Sequence, residues 1–333
     1  MLSEPLVTVL IPSYNHGRYL RERIASIYAQ THRNFELIVI DDCSQDDSAD
    51  IIGKLQALHG FKYIGNNHNS GTPFAAWERI CDLAQGKYIW VCESDDVAEP
   101  TFLEIAIRRL EGSPQAVLFY TNSLVINEAS EVIGHTESYF RDVWRDSRWE
   151  QEFSANGPEE LVRFQLRGQT VPNMSSALIR AVAFRQAFIP FLKRFRLTGD
   201  WLFIGNVLRY GNVEFSPTPL NRFRKHEVTS RVRVKSARSQ AEFILTKYYL
   251  FRGTKLPVIE FAPLMGADVI RFLYEPATCW DVVKSLAGIS WLDTVRCSLL
   301  LLVSTIKYPA YLGKFKERYK QAKARRKENV ETY

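Results

Sequence analysis

The chain has 333 residues, 46% of them hydrophobic and 24% charged, with a net charge of +6; these values exclude wholesale disorder and suit one large domain or two ordinary ones. Five cysteines (Cys43, Cys81, Cys92, Cys279 and Cys297) are an odd number without paired spacing, which argues against a disulfide framework or a cysteine zinc site and fits a reducing compartment. No basic-then-apolar leader pattern opens the chain, and no apolar run reaches the roughly 18 residues that crossing a bilayer needs, so the expected place is the cytoplasm or the cytoplasmic face of a membrane.

The first 120 residues alternate two kinds of segment. Val7–Ile11, Phe35–Ile40, Tyr88–Cys92 and Val117–Tyr120 are short, apolar and rich in β-branched or aromatic residues, the pattern of strands buried on both faces. Between them Ile24, Ile27 and Tyr28, and later Leu103, Ile107 and Leu110, follow helical spacing, with Pro100 near the start of the second helix. Strand–helix alternation predicts a mostly parallel α/β sheet, whose ligands sit at the carboxyl ends of the strands. From Thr121 to Gly168 the pattern loosens, and strand edges with a mobile excursion are expected there. Residues 170–235 return to α/β character, and residues 236–333 read as a helical extension punctuated by prolines.

The chemistry is concentrated just past the strand ends. Pro12-Ser13-Tyr14-Asn15 succeeds the first strand, Asp41-Asp42-Cys43-Ser44 the second, and Glu93-Ser94-Asp95-Asp96 the Tyr88–Cys92 strand. Neighbouring carboxylates repel unless a cation or hydrogen-bond donors compensate, and Mg²⁺ or Mn²⁺ held by carboxylates and phosphates is a common resolution. Tyr14 offers a flat face for a nucleobase. A plainer reading remains open for each acidic pair: a cap on the next helix.

As a set, Leu6–Asn15, Gln30 with Phe35–Ser44, Asn69-Ser70-Gly71 and Gly86–Asp96 resemble the family 2 glycosyltransferases of GT-A fold, strongly over about residues 5–125 and more weakly to 226. The resemblance implies a GT-A-like catalytic domain over 1–235, a nucleotide-sugar donor and Mn²⁺ or Mg²⁺. It implies donor-binding roles for Pro12, Tyr14 (stacking on the base), Asp42 (hydrogen bonding to it), Asp95, Arg224 and His226. Asp96 is the implied main metal ligand, with Glu93 and His226 as further candidates. Glu93 stands where the family often has Asp, and Cys43 where Gly is commoner. The implied general base is a carboxylate roughly 100 residues beyond the metal motif. Asp200, in Leu197-Thr198-Gly199-Asp200-Trp201, stands there and equally suits a helix cap. Asn173-Met174-Ser175-Ser176 resembles the family's acceptor side.

Charge is uneven: residues 1–100 carry 8 Lys/Arg against 14 Asp/Glu, whereas 222–238 carry 7 basic residues and 314–327 carry 8, each with one acidic residue. Trp291, Leu292, Val295, Leu299, Leu302, Val303 and Ile306 follow helical spacing just before the second basic run. Such a pairing can lie on an anionic leaflet, which would suit a lipid-linked acceptor. No nucleic-acid-binding motif accompanies these charges. Taken together, the resemblance implies an inverting, metal-dependent glycosyltransferase acting on a glycan or lipid-linked glycan, of the surface-polysaccharide type. Its rivals are a silent scaffold protein, which Glu93 keeps open, and a nucleotidyltransferase, which wants a glycine-rich basic loop after the first strand. A dehydrogenase is excluded by the lack of Gly-x-Gly-x-x-Gly at that place.

Overall fold

The structure, a computed structural model, describes residues 4–226, 236–265, 276–297 and 299. In chain order the catalytic region runs β1 (Val7–Ser13), α1 (Gly17–Tyr28), β2 (Phe35–Asp41), α2 (Ser48–His59), β3 (Lys62–Gly65), α3 (Phe74–Leu83), β4 (Tyr88–Val91), β5 (Val97–Ala98) and α4 (Phe102–Gly112). It continues with β6 (Ala116–Ile126), β7 (Val132–His135), α5 (Thr136–Trp144), β8 (Phe153–Ala155), α6 (Gly157–Glu160), β9 (Ala177–Arg180), α7 (Ala181–Ala187), α8 (Gly199–Val207) and β10 (Asn212–Arg224). Then come α9 (Ser236–Arg252), α10 (Val258–Phe261) and α11 (Pro276–Ile289).

One sheet has the order β3-β2-β1-β4-β9-β6-β10-β5, with β7 beside β6 and β8 beside β10. Strands β3, β2, β1 and β4 are parallel, as are β6 and β10, while β9 runs antiparallel between β4 and β6. Most paired residues thus lie in parallel ladders flanked by helices, as the strand–helix alternation predicts. The apolar runs are continuous because each face of the sheet has its own core. Val9, Ile11, Leu37 and Val39 pack with Leu20 and Ile24 of α1 and Leu103 of α4. Leu10, Ile38 and Ile40 pack with Trp77 of α3, Phe184 of α7 and Phe203 of α8.

The 121–168 stretch departs from expectation: it is built into the sheet and its core. Trp149 is 1% exposed, stacks on Phe140 at 4.8 Å between ring centres and donates its indole N–H to Tyr120 at 2.8 Å. The Arg148 guanidinium lies 3.9 Å from the centre of the Phe153 ring and 4.4 Å from that of Phe164. The aromatic partners of this cluster include Tyr120 of β6 and Phe215 of β10, so a linear reading sees only isolated tryptophans among charges.

Helix α9 joins the core of the catalytic region through Ala241, Ile244, Leu245 and Leu250. Its Glu242, fully buried, accepts from the backbone N–H groups of Arg196, Leu197 and Thr198. After α11 a helical stretch covers 291–297 and 299. Asp293, Thr294 and Cys297 face inward there, while Trp291, Leu292, Val295 and Leu299 are exposed. The rest of the amphipathic run, the 314–327 basic cluster and positions 227–235 of the first basic stretch lie outside the described residues.

Candidate active site

The ends of β1 and β2 are tied to one another. The Asn15 backbone N–H donates to Ser44 Oγ at 2.9 Å, the Gln45 N–H to Asn15 Oδ1 at 2.7 Å, and the Gly17 N–H to Asp46 at 3.0 Å. This lattice holds Tyr14 at 42% exposure at the carboxyl end of β1, with Pro12 half-buried in the strand below it. Asp41 is buried and closes a local turn, accepting from the N–H and hydroxyl of Ser44. Asp42 is oriented across the loop after β3, accepting from the Asn66 amide at 2.7 Å and from the N–H and hydroxyl of Ser70. Arg79 in turn holds Asn66 at 2.8 Å. Neither aspartate caps α2, whose N-cap is Asp47.

At the end of β4 the two adjacent aspartates part company. Asp96 is 1% exposed and clamped: one oxygen accepts from the Arg224 backbone N–H at 2.9 Å, the other from the Asn173 amide at 2.8 Å. The same amide donates to Glu93 at 2.7 Å. Burial, with Asp95 beside it, pushes Asp96 up to about 6, and burial with Asp96, Asp95 and Asp200 nearby pushes Glu93 well above the carboxylate range. The Asp96 and Glu93 carboxylates are therefore packed away on Asn173. Asp95 meets His226 Nε2 at 2.6 Å instead, and His16 stands with them, all three ligand atoms within 4.8 Å of one another. Burial alone would raise Asp95, but the bond to His226 and the two imidazoles hold it below its ordinary value. Burial lowers His16, which favours the neutral, ligating imidazole. His16, Asp95 and His226 thus form a group of two imidazoles and one carboxylate that could hold a divalent cation, while Asp96 and Glu93, named with His226 as metal ligands by the resemblance, both accept from the Asn173 amide.

Arg224, expected at the donor, has a fully buried side chain. It donates to the Asp95 and Asn127 carbonyls and pairs with Glu22 at 2.7 Å, so it ties the loop after β4 to α1 and to the end of β6. Ser175 and Ser176 are likewise fully buried. The Glu93 N–H donates to Ser175 Oγ and Ser176 donates to the Asn173 carbonyl, so this segment shapes the carboxylate network and offers no open sugar-binding hydroxyls.

Asp200 occupies the first turn of α8, after the N-cap Thr198. A β-carbon at the preceding Gly199 would lie 2.4 Å from the Phe74 ring, so only glycine lets α8 start this close to α3. Asp200 Oδ2 accepts from the Gln169 amide at 2.8 Å, and Oδ1 from the Trp201 N–H at 2.8 Å. Tyr139 of α5 donates to the Gln169 carbonyl at 3.1 Å, linking the aromatic excursion to this carboxylate. His16, Gln169 and Tyr19 join the site without a motif of their own, whereas Ser94 lies inside the Glu93-Ser94-Asp95-Asp96 segment. Of the first three, His16 carries a signal in the sequence, two residues beyond Tyr14 in a strand-end segment.

The sequence model of the family described as Glycosyl transferase family 2 matches residues 8–180. An uncharacterized glycosyltransferase of Haemophilus influenzae is 26% identical over 324 residues, 95% of each chain. The putative teichuronic acid biosynthesis glycosyltransferase TuaG of Bacillus subtilis is 34% identical over 94 residues, 28% of this chain and 37% of its own. Among solved structures, S. aureus TarS 1–349 in complex with UDP-GlcNAc superposes with a TM-score of 0.65 at 15% identity, covering 95% of this chain and 92% of that one. A mannosyltransferase of Pyrobaculum calidifontis in complex with GDP-Man and Mn²⁺ gives 0.56 at 16% identity, covering 95% and 87%. These likenesses show the fold, in agreement with the sequence resemblance.

Proposed function

This chain belongs to glycosyl transferase family 2, and from that premise we propose that it moves a sugar, with inversion, from a nucleotide-diphosphate donor to a hydroxyl of a glycan or lipid-linked glycan. The observation that carries the reading is the convergence of Tyr14, Asp42 and the Asp95 cluster at adjacent strand ends, with Asp200 on α8 as a separate carboxylate. The bound nucleotide sugars of TarS and the Pyrobaculum enzyme support a nucleotide-sugar donor, and the Mn²⁺ of the latter supports a metal.

In this reading the Tyr14 ring stacks on the base and Asp42 accepts from its edge. Asp95 and His226 hold the cation, in place of the Asp96 that the resemblance implies. When bound, that cation neutralises charge on the departing diphosphate. Asp200 removes the proton from the acceptor hydroxyl, and Gln169 fixes which carboxylate oxygen faces it. One base, with no second carboxylate among the described residues assigned as nucleophile, favours inversion. Residues 1–235 are taken as the catalytic unit and 236–333 as an extension, which is largely helical where it is described. The exposed Trp291, Leu292, Val295 and Leu299, continued by the basic 314–327 run, support peripheral contact with an anionic leaflet. Among the described residues no helix is long and apolar enough to cross a membrane.

Calorimetric titration with UDP, dTDP and GDP, each with Mn²⁺ and with chelator, tests the reading. Metal-dependent binding of one nucleotide is the expected result. Binding of none by folded protein overturns it in favour of a silent scaffold. Pelleting with anionic vesicles, lost on truncation after Lys284, is the expected result for the extension.

A further inference from the structure

We propose that His16 is a third protein ligand of the cation, beside Asp95 and His226, and that the resulting two-nitrogen, one-oxygen site selects a first-row transition ion over Mg²⁺. The proposal rests on the metal-dependent donor site inferred above and names what distinguishes it. His16 lies at the N-terminal boundary of α1, on a different element from the β4 and β10 ends that carry Asp95 and His226. Even so, its ring reaches both: the two imidazoles stand 5.8 Å apart between centres, and the three ligand atoms fall within 4.8 Å. Opposite ligands on one cation are separated by about 4.2 Å at bond lengths of about 2.1 Å, so small side-chain rotations close the site.

Both imidazoles are held in the same way. Ser94 Oγ meets His16 Nδ1 at 2.8 Å, and the Tyr19 hydroxyl meets His226 Nδ1 at 3.2 Å. A hydroxyl on Nδ1 fixes each ring, the arrangement by which outer hydrogen bonds orient metal-binding histidines, and makes Nε2 the ligating nitrogen; that of His226 meets Asp95 at 2.6 Å, a pair that must part to admit an ion. Two of the hard oxygen ligands that Mg²⁺ prefers are engaged elsewhere, while the Glu128 carboxylate stands 3.7 Å from His226 Nδ1. Asp96 and Glu93, on either side of Asp95, are both engaged by the Asn173 amide. Of the carboxylates at this strand end, Asp95 is the one that faces the cluster. For such a donor set affinity rises from Mn²⁺ to Co²⁺, and imidazole adds little for Mg²⁺.

The test is titration of the full chain with Mg²⁺, Mn²⁺ and Co²⁺ alone and with UDP, followed by nitrogen couplings to bound Mn²⁺ in pulsed EPR. His16 makes no side-chain capping bond, and Asn is a favoured N-cap, so His16→Asn keeps the helix start. The expected result is a loss of Co²⁺ and Mn²⁺ affinity of about tenfold or more, near-unchanged Mg²⁺ affinity, and two histidine couplings reduced to one. Unchanged couplings and an unchanged Co²⁺ to Mg²⁺ preference, while His226→Asn loses both, would overturn the role of His16 alone. Failure of the unaltered protein to bind any of the three ions would overturn the metal-dependent reading along with it.

Discussion

At the carboxyl ends of β1, β2 and β4, Tyr14, Asp42 and Asp95 each stand within a few residues of the strand that delivers them. Hydrogen bonds between neighbouring loops then fix their directions. Across the site Asp200 is positioned from far along the chain. Gln169, 31 positions away, holds one oxygen; Tyr139 holds Gln169; and Glu242, on a helix beyond the catalytic strands, gathers the backbone of 196–198. On the proposed reading, the donor half is thus built by local geometry and the acceptor half by tertiary packing. Perturbations should separate them: changes in the first alter nucleotide binding, and changes in the second alter transfer or stability.

The sharpest separation is expected from Asp200→Asn. Removing a general base costs roughly 10²–10⁴ in turnover, while nucleotide affinity, governed by the opposite half, stays within about twofold. Initial-rate assays beside calorimetry check this. Transfer that survives, or nucleotide binding that falls with it, would break the division.

Trp149→Ala attacks the acceptor half through its core. A fully buried tryptophan stacked on Phe140 and bonded to Tyr120 is expected to cost about 3–5 kcal/mol on truncation. Urea denaturation reads this out, with nucleotide binding retained while the protein is folded.

These two sites also mark where sequence reasoning succeeds and fails. The strands of the donor half are legible because both their faces are buried, which writes an unbroken apolar run. Their motifs are legible because the functional residue comes directly after the run. The 121–168 excursion is not legible, since Trp149 is satisfied by Tyr120 and by the cluster containing Phe215, and Arg148 pairs with the buried Glu160 among aromatic rings. Nor can spacing tell Asp95 from Asp96. Adjacent residues leave the strand in different directions, and only the Asn173 amide and the Arg224 N–H, 77 and 128 positions onward, decide which one is buried.

That last contrast predicts opposite phenotypes for neighbours. Asp95→Ala should weaken nucleotide binding in Mn²⁺ by about tenfold or more and leave it unchanged in chelator, with little loss of stability. Asp96→Ala leaves the Arg224 N–H and the Asn173 amide without these partners and should cost about 1–3 kcal/mol of stability. Paired denaturation and binding curves decide. If Asp96→Ala alone abolishes the metal effect in a fully stable protein, the ligand assignment reverts to Asp96.

The smallest effect expected is at Tyr14, where the donor half meets solvent. Its ring is partly exposed at a strand end, so Tyr14→Ala should leave stability within about 0.5 kcal/mol, as for a surface change. Stacking on a base is worth about 1–3 kcal/mol, which places the loss of nucleotide affinity at roughly tenfold. On the proposed reading the ring addresses the base and not the phosphates, so the loss should be equal with and without metal, and Tyr14→Phe should restore it. A loss that appears only with Mn²⁺ present would move Tyr14 from the base to the diphosphate and draw it into the cluster around Asp95.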